Sequence, residues 1–205
     1  MGRPARHHVR SILDSAKRVS AAVGPQKLTI AAVADAAGAP IGSIYHRYAS
    51  RDDILAALWL DLVEAFQARF LAHLEMADPV AAGLAAVRFV CRWVRRHPTE
   101  ARLMLVHRRE DFAAERWAAT HRRRVQQLAV NADTAMRAYA LRLCGRAGAA
   151  ELRHVRFALV DLPTAALKRD LEDGMAPSKR VEAVLLDTCA YALRRGRSAA
   201  GARAT

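Results

Sequence analysis

Thirty residues near the N-terminus, Thr29 to Leu58, constrain the fold more than any other part of the chain. They read TIAAVADAAGAPIGSIYHRYASRDDILAAL. Ile30, Val33, Ala34 and Ala37 recur at i, i+3, i+4 and i+7, the apolar face of a short helix. Thr29 stands where a hydroxyl can accept from the free N–H groups of the first turn. Gly38 suits a helix end in the left-handed region. Pro40 lacks an N–H and therefore opens a helix without loss. The next helix is expected over Pro40 to Tyr48. Ile44 and Tyr48 face inward together, and Ile41, Gly42, Ser43, Tyr45, His46 and Arg47 point elsewhere. Ser50 then caps a third helix, whose first turn carries Asp52 and Asp53 against the positive end of the helix dipole. A short helix that is polar outside and held by a preceding helix is the geometry that places side chains in a DNA major groove.

At these residues the chain resembles the DNA-binding domain of the TetR (tetracycline repressor) family of transcriptional regulators. The pattern is T-I-x-x-V-A-x-A-A-G, then I-Y-H-R-Y, then S-R-D-D-I-L, and the resemblance covers roughly residues 9 to 60. It implies an all-α fold with two parts. Residues 1–50 would form a three-helix, helix-turn-helix DNA-binding domain, its core extending into the helix that starts at 51. Residues 51–205 would form a helical effector-binding and dimerisation domain. One departure stands out. The family often caps the recognition helix with serine or threonine, and here Pro40 occupies that place. Isoleucine at 41 is also less polar than usual, so readout is expected to lean on few side chains and on DNA shape.

The DNA-contacting set expected on this basis is Thr29, Pro40, Ile41, Gly42, Ser43, Tyr45, His46, Arg47 and Arg51. Ser43 and His46 would read base edges, with Ile41 against thymine methyl groups. Tyr45 would bond a phosphate through its hydroxyl. Thr29 and Arg51, at helix N-termini, would position the DNA backbone. Arg47 stays open between a phosphate contact and a solvated side chain, and Tyr48 is assigned to the core. Residues 1–8 read as a basic arm, either a frayed terminus or one whose Arg3 and Arg6 reach a phosphate or the minor groove.

Composition agrees with this picture. The chain has 205 residues, 53% of them hydrophobic and only 6% aromatic. Its few Gly and Pro residues punctuate long periodic segments, which points to an all-α protein. No apolar run approaches the ~18 residues of a membrane span, and no apolar stretch follows the basic N-terminus as in a secretory signal. A cytoplasmic protein is expected. Cys91, Cys144 and Cys189 are isolated and show no metal or redox spacing. The net charge is +13. Residues 1–50 contribute +5 of it, with seven Lys or Arg against Asp14 and Asp35. Basic character favours a polyanion partner, but the motif weighs more than the charge.

Further along, helices are expected over Val9–Val23, Ser50–Met76, Asp78–His97, Glu100–His107, Arg108–Cys144, Ala149–Gly174 with a kink at Pro163, and Pro177–Arg195. A tail from Gly196 onward should lack structure. By the resemblance, the last two helices would pair with their copies in a homodimer, using Leu152, Val155, Leu159, Val181, Val184, Leu185 and Thr188. Phe66, Phe89, Trp93, Met104, His107, Trp117 and His121 are candidates for an effector pocket, although each on its own also reads as ordinary core. The partners implied are a double-stranded DNA operator, a second copy of the chain and a small-molecule effector, with no membrane and no cofactor. No phosphate loop, dinucleotide fingerprint, nucleophile elbow or zinc-protease motif argues for an enzyme. Two rival readings remain: a nonspecific DNA-binding protein driven by charge, and a regulator whose helical domain answers to a protein.

Overall fold

The computed structural model describes residues 6–201, with side chains from Arg10 to Arg197. It is helical, with no strand among the described residues. The helices are α1 (Arg6–Val23), α2 (Ile30–Ala37), α3 (Ile41–Tyr45), α4 (Arg51–His73), α5 (Pro79–Arg96), α6 (Pro98–Leu105), α7 (Ala119–Cys144), α8 (Ala149–Arg156), α9 (Leu162–Glu172) and α10 (Lys179–Gly201). Residues 1–5, which hold Arg3 and most of the proposed arm, lie outside the described residues. Arg6 already belongs to α1. None of the described helices is long and apolar enough to cross a membrane.

Compactness groups the chain into two units, each made of two stretches of sequence. One comprises Met1–Glu64 and Thr99–Gln126; the other comprises Ala65–Pro98 and Gln127–Thr205. The boundary falls inside α4 and α7, so each of these helices belongs to both units.

The first unit is built on a core of Ile12, Ala16, Leu28, Val33, Ile44, Ile54, Leu55 and Leu58. Val33 and Ile44 are inward positions expected from α2 and the recognition helix. Leu103, Phe112 and Trp117 complete the core from far along the chain. Their presence corrects one expectation. Residues 108–144 are not one helix. Two short 3-10 turns, Arg109–Phe112 and Ala114–Arg116, precede α7. The Asp111 carboxylate accepts from the Arg108 N–H at 2.8 Å, and Ala113 then turns left-handed at φ 58°. A non-glycine residue in that region costs of order 1–2 kcal/mol. What holds it there is burial. Phe112 packs beside Trp59 with ring centroids 5.1 Å apart, and the Trp117 indole donates to the Phe112 carbonyl at 2.7 Å. Tertiary packing has overridden helix propensity.

In the second unit α5 lies against α10 and α9. Gly83 is the point of closest approach. A Cβ there would clash with the Tyr139 hydroxyl and sit 2.7 Å from Leu193 Cδ1. The same hydroxyl donates to the Pro79 carbonyl at 2.7 Å, so the first turn of α5 is held by its neighbour. The expected kink at Pro163 takes the form of a π turn over Phe157–Asp161, where the Leu162 N–H donates to the Phe157 carbonyl. Pro163 has no N–H for the ordinary ladder, and a wider turn absorbs the gap. The terminal helix runs on through Gly201 instead of ending at Arg195. Gly196, expected in a loose tail, is buried, and a Cβ on it would lie 2.8 Å from His154 Nε2.

Burial pushes the Cys91 and Cys189 thiols up from 9.0 to about 11. Between those values the folded chain keeps protons that the unfolded chain has released. Stability from these two groups is therefore full below pH 9 and declines as pH rises toward 11. The urea midpoint should fall over that window, and Cys91→Ala with Cys189→Ala should flatten the fall. A midpoint that declines equally in the double variant would assign it to other groups.

Candidate nucleic-acid interface

The helix-turn-helix is assembled by local contacts. Thr29 Oγ1 accepts from the Ala32 N–H at 3.1 Å, starting α2. Gly38 closes it at φ 59°, and the Ala39 N–H returns to the Ala34 carbonyl at 3.0 Å. Arg18, from α1, adds a hydrogen bond to the Ala36 carbonyl at 2.9 Å, placing a cation at the negative end of α2. Pro40 is the cap of α3, and its carbonyl accepts from Ser43 N–H at 2.9 Å. The helix is shorter than expected, Ile41–Tyr45, but hydrogen bonds from His46 to Gly42 and from Tyr48 to Ile44 continue the turn.

Ile44 and Tyr48 anchor this short helix in the core. Burial and the Asp53 charge push the Tyr48 phenol up to about 12, so it stays neutral. The opposite side is open. Ile41 is 47% exposed and Tyr45 54%, unusual for large apolar and aromatic side chains. Pro40, Gly42, Ser43 and His46 are exposed beside them, and Arg47 is half-buried. A Cβ on Gly42 would meet nothing within 4 Å. The structure thus gathers Pro40, Ile41, Gly42, Ser43, Tyr45 and His46 on one accessible surface, with Thr29 exposed at the head of α2.

The head of α4 is capped reciprocally. Ser50 Oγ accepts from the Asp53 N–H at 3.1 Å, and the Asp53 carboxylate accepts from the Ala49 N–H at 3.2 Å. Both acids of this turn also reach the segment before and within α7. Asp52 meets Arg116 at 3.1 Å, and Asp53 meets His121 Nε2 at 2.9 Å.

Arg51, expected to position the DNA backbone, is engaged within the fold. Its guanidinium turns back into the fold, with Nε donating to the Leu28 carbonyl at 2.6 Å and Nη2 to Pro25 and Gln26 carbonyls at 3.0 and 2.5 Å. Nη1 meets the Asp52 carboxylate at 3.1 Å. Four of its five N–H groups are thus engaged within the fold. Nothing in the sequence pattern separates a guanidinium aimed at DNA from one aimed at three carbonyls.

Residues 12–58 match the family profile described as bacterial regulatory proteins, tetR family. The match is confined to the helix-turn-helix region and the start of α4. Among curated proteins no sequence matches. Solved structures share the fold at low identity. A fatty acid degradation regulator, FadR from Bacillus halodurans, superposes with a TM-score of 0.67 at 15% identity, covering 94% of this chain and 96% of that one. The TetR-family regulator PfmR from Thermus thermophilus gives 0.67 at 19% identity, over 89% and 97%. FadR from Bacillus subtilis, solved in complex with stearoyl-CoA, gives 0.66 at 14% identity, over 93% and 98%.

The seven pocket candidates are not gathered into one unit. Phe66, Phe89 and Trp93 cluster in the second. The Phe66 ring lies 5.6 Å from Phe89 and 4.8 Å from Trp93, with Phe70, His73 and His97 alongside. Met104, His107, Trp117 and His121 belong to the first unit and have work there. Met104 packs on the core, Trp117 is part of it, His107 lies 3.6 Å from Asp111, and His121 meets Asp53.

The dimer candidates separate as well. Leu152, Val155 and Leu159 are buried within the chain itself and cannot present a surface. An apolar stripe says only that a face is covered, and here the chain covers it. Val181, Val184, Leu185 and Thr188 line an open apolar groove of about 550 Å³ together with Leu162, Ala165 and Ala166. Leu185 forms its buried floor, and Val184 stands 61% exposed at its edge.

Proposed function

We propose that this protein is a transcriptional regulator of the TetR family, a repressor which as a symmetric homodimer holds a palindromic operator and releases it when a small molecule binds the helical part of the chain. The observation that supports the DNA reading is the short helix α3, fixed from behind by Ile44 and open in front at Ile41, Ser43, Tyr45 and His46. Ser43 and His46 supply base-edge hydrogen bonds and Ile41 an apolar contact. Tyr45 and Thr29 hold the backbone. The two half-sites would lie about one DNA turn apart.

The effector is apolar, at least in the part that enters the protein. The rings of Phe66, Phe89 and Trp93 are its candidate wall, as pockets of this kind are largely apolar and aromatic. Occupation of a related fold by stearoyl-CoA supports this class. To act, the effector must bind the DNA-incompetent state more tightly than the DNA-bound one. Helix α4 contributes residues to both units, so it is the element through which such a bias would pass.

Selection of bound sequences from a random DNA pool at physiological salt tests the reading. An enriched palindrome is the expected result. Binding without enrichment, lost steeply as salt rises, would leave only the charge-driven interaction. On the selected site, His46→Ala is expected to weaken binding by about 1–3 kcal/mol and to relax one base position. Unchanged base preference would remove His46 from the readout set.

A further inference from the structure

The turn Pro25–Lys27 and the N-terminus of α4 are distant in sequence but joined by one side chain. Arg51 spans the carbonyls of Pro25, Gln26 and Leu28 at 2.5–3.0 Å and leans on Asp52. Gly24, at φ 88°, lets the chain enter this turn, and the Gln26 amide ties its outer side to Asp111 at 2.7 Å. Thr29 follows directly and starts α2. The head of α4 is therefore fastened to the segment that leads directly into α2. The fastening needs a planar fork. Three carbonyls in an arc match the divergent N–H groups of a guanidinium, whereas a lysine ammonium is a single point on a flexible stem.

We propose that Arg51 is a positioning residue for operator recognition. It sets the orientation of α3 by clamping the 25–28 carbonyls to the head of α4, and it touches no phosphate itself. Recognition of base edges requires side chains held to about 0.5 Å, and α3 is too short to orient itself. The inference rests on the DNA-binding reading above and goes further, since it makes a residue outside the contact surface a determinant of specificity. Among charged residues at helix starts, this one would be counted as a phosphate contact by its position alone. The two roles predict opposite behaviour on substitution.

The test compares the full-length chain with Arg51→Lys and Arg51→Ala, on the selected operator and on random duplex, across a range of salt. Melting and hydrogen exchange over residues 24–30 are followed in parallel. If Arg51 is the clamp, both variants lose about tenfold or more in operator affinity. Random-duplex affinity and the slope of log K against log salt stay as in the parent, and exchange over 24–30 rises. If Arg51 instead bonds a phosphate, Arg51→Lys binds like the parent, or Arg51→Ala lowers the salt slope by about one. Either result overturns the proposal. Should the Arg51 variants not fold, the Arg51 guanidinium NMR signals of the parent decide: signals unchanged on operator binding support the clamp, and signals that shift as for a phosphate-bound guanidinium refute it. A parent chain that selects no operator sinks the DNA reading and this proposal together. An operator bound equally by parent and Arg51→Lys sinks this proposal alone.

Discussion

Phe112→Ala is expected to destabilise the first unit by about 3–5 kcal/mol, the usual cost of emptying a large aromatic site in a core. Native domains are stable by only about 5–15 kcal/mol, so the DNA-binding surface should melt early although Phe112 lies far beyond α3 in sequence. The reasoning starts from the strained Ala113 turn. Its left-handed backbone is kept because Phe112 and Trp117 are buried on either side of it, the first against Trp59. Removing the Phe112 ring takes away both its apolar contacts and the force that keeps the turn. The polar ties of the same segment, Asp111 to Gln26, Arg116 to Asp52 and His121 to Asp53, then lose their frame. Ala113→Gly supplies the control, since it relieves the turn and leaves the ring in place; stability should hold or rise slightly. Urea unfolding followed by Trp fluorescence, with operator binding in parallel, checks both variants. Parental stability and binding in Phe112→Ala would mean that residues 99–126 do not belong to the DNA-binding unit.

How much of this was legible in the sequence depends on the range of the forces involved. The helix-turn-helix was readable because its signals are local: Thr29 bonds three residues ahead, Gly38 ends α2 at its own φ, and Ser50 and Asp53 cap one another. The segment 108–118 was not. Its alanines and charged residues favour a helix, and only the distant pocket beside Trp59 makes Phe112 and Trp117 break it. Arg51 shows the same limit in electrostatics. A cation at a helix N-terminus is unfavourable toward the dipole, and that hint alone could have raised the question of what offsets its position. Apolar stripes fail in a third way, because they do not say which neighbour covers them. Leu152, Val155 and Leu159 are covered by their own chain, and Phe157, Val160, Val184 and Tyr191 are left outside.

That outward set leads to the second large effect. Val184, Thr188 and Tyr191 recur at i, i+4 and i+7 along α10, and Val184 and Tyr191 are 61% and 66% exposed. Phe157 and Val160 are exposed on the π turn. Isolated exposed apolar residues need no explanation, but a helical row beside an apolar groove is a surface suited to a second copy of itself. Val184→Arg with Tyr191→Arg is therefore expected to give a monomer by sedimentation equilibrium. Both side chains point away from the core, so the melting of the isolated chain should change little; a charge at Leu185, by contrast, would enter the groove floor and damage packing. Operator affinity should fall by about 10²–10⁴-fold, because two half-sites no longer bind as one linked event. Binding to a single half-site should survive, since α3 and its supports are untouched. A double variant that still sediments as a dimer would show that the outer face of α10 is not where two copies meet. A monomer that kept full operator affinity would instead separate assembly from recognition, and the palindromic, two-helix mode of binding would have to be abandoned.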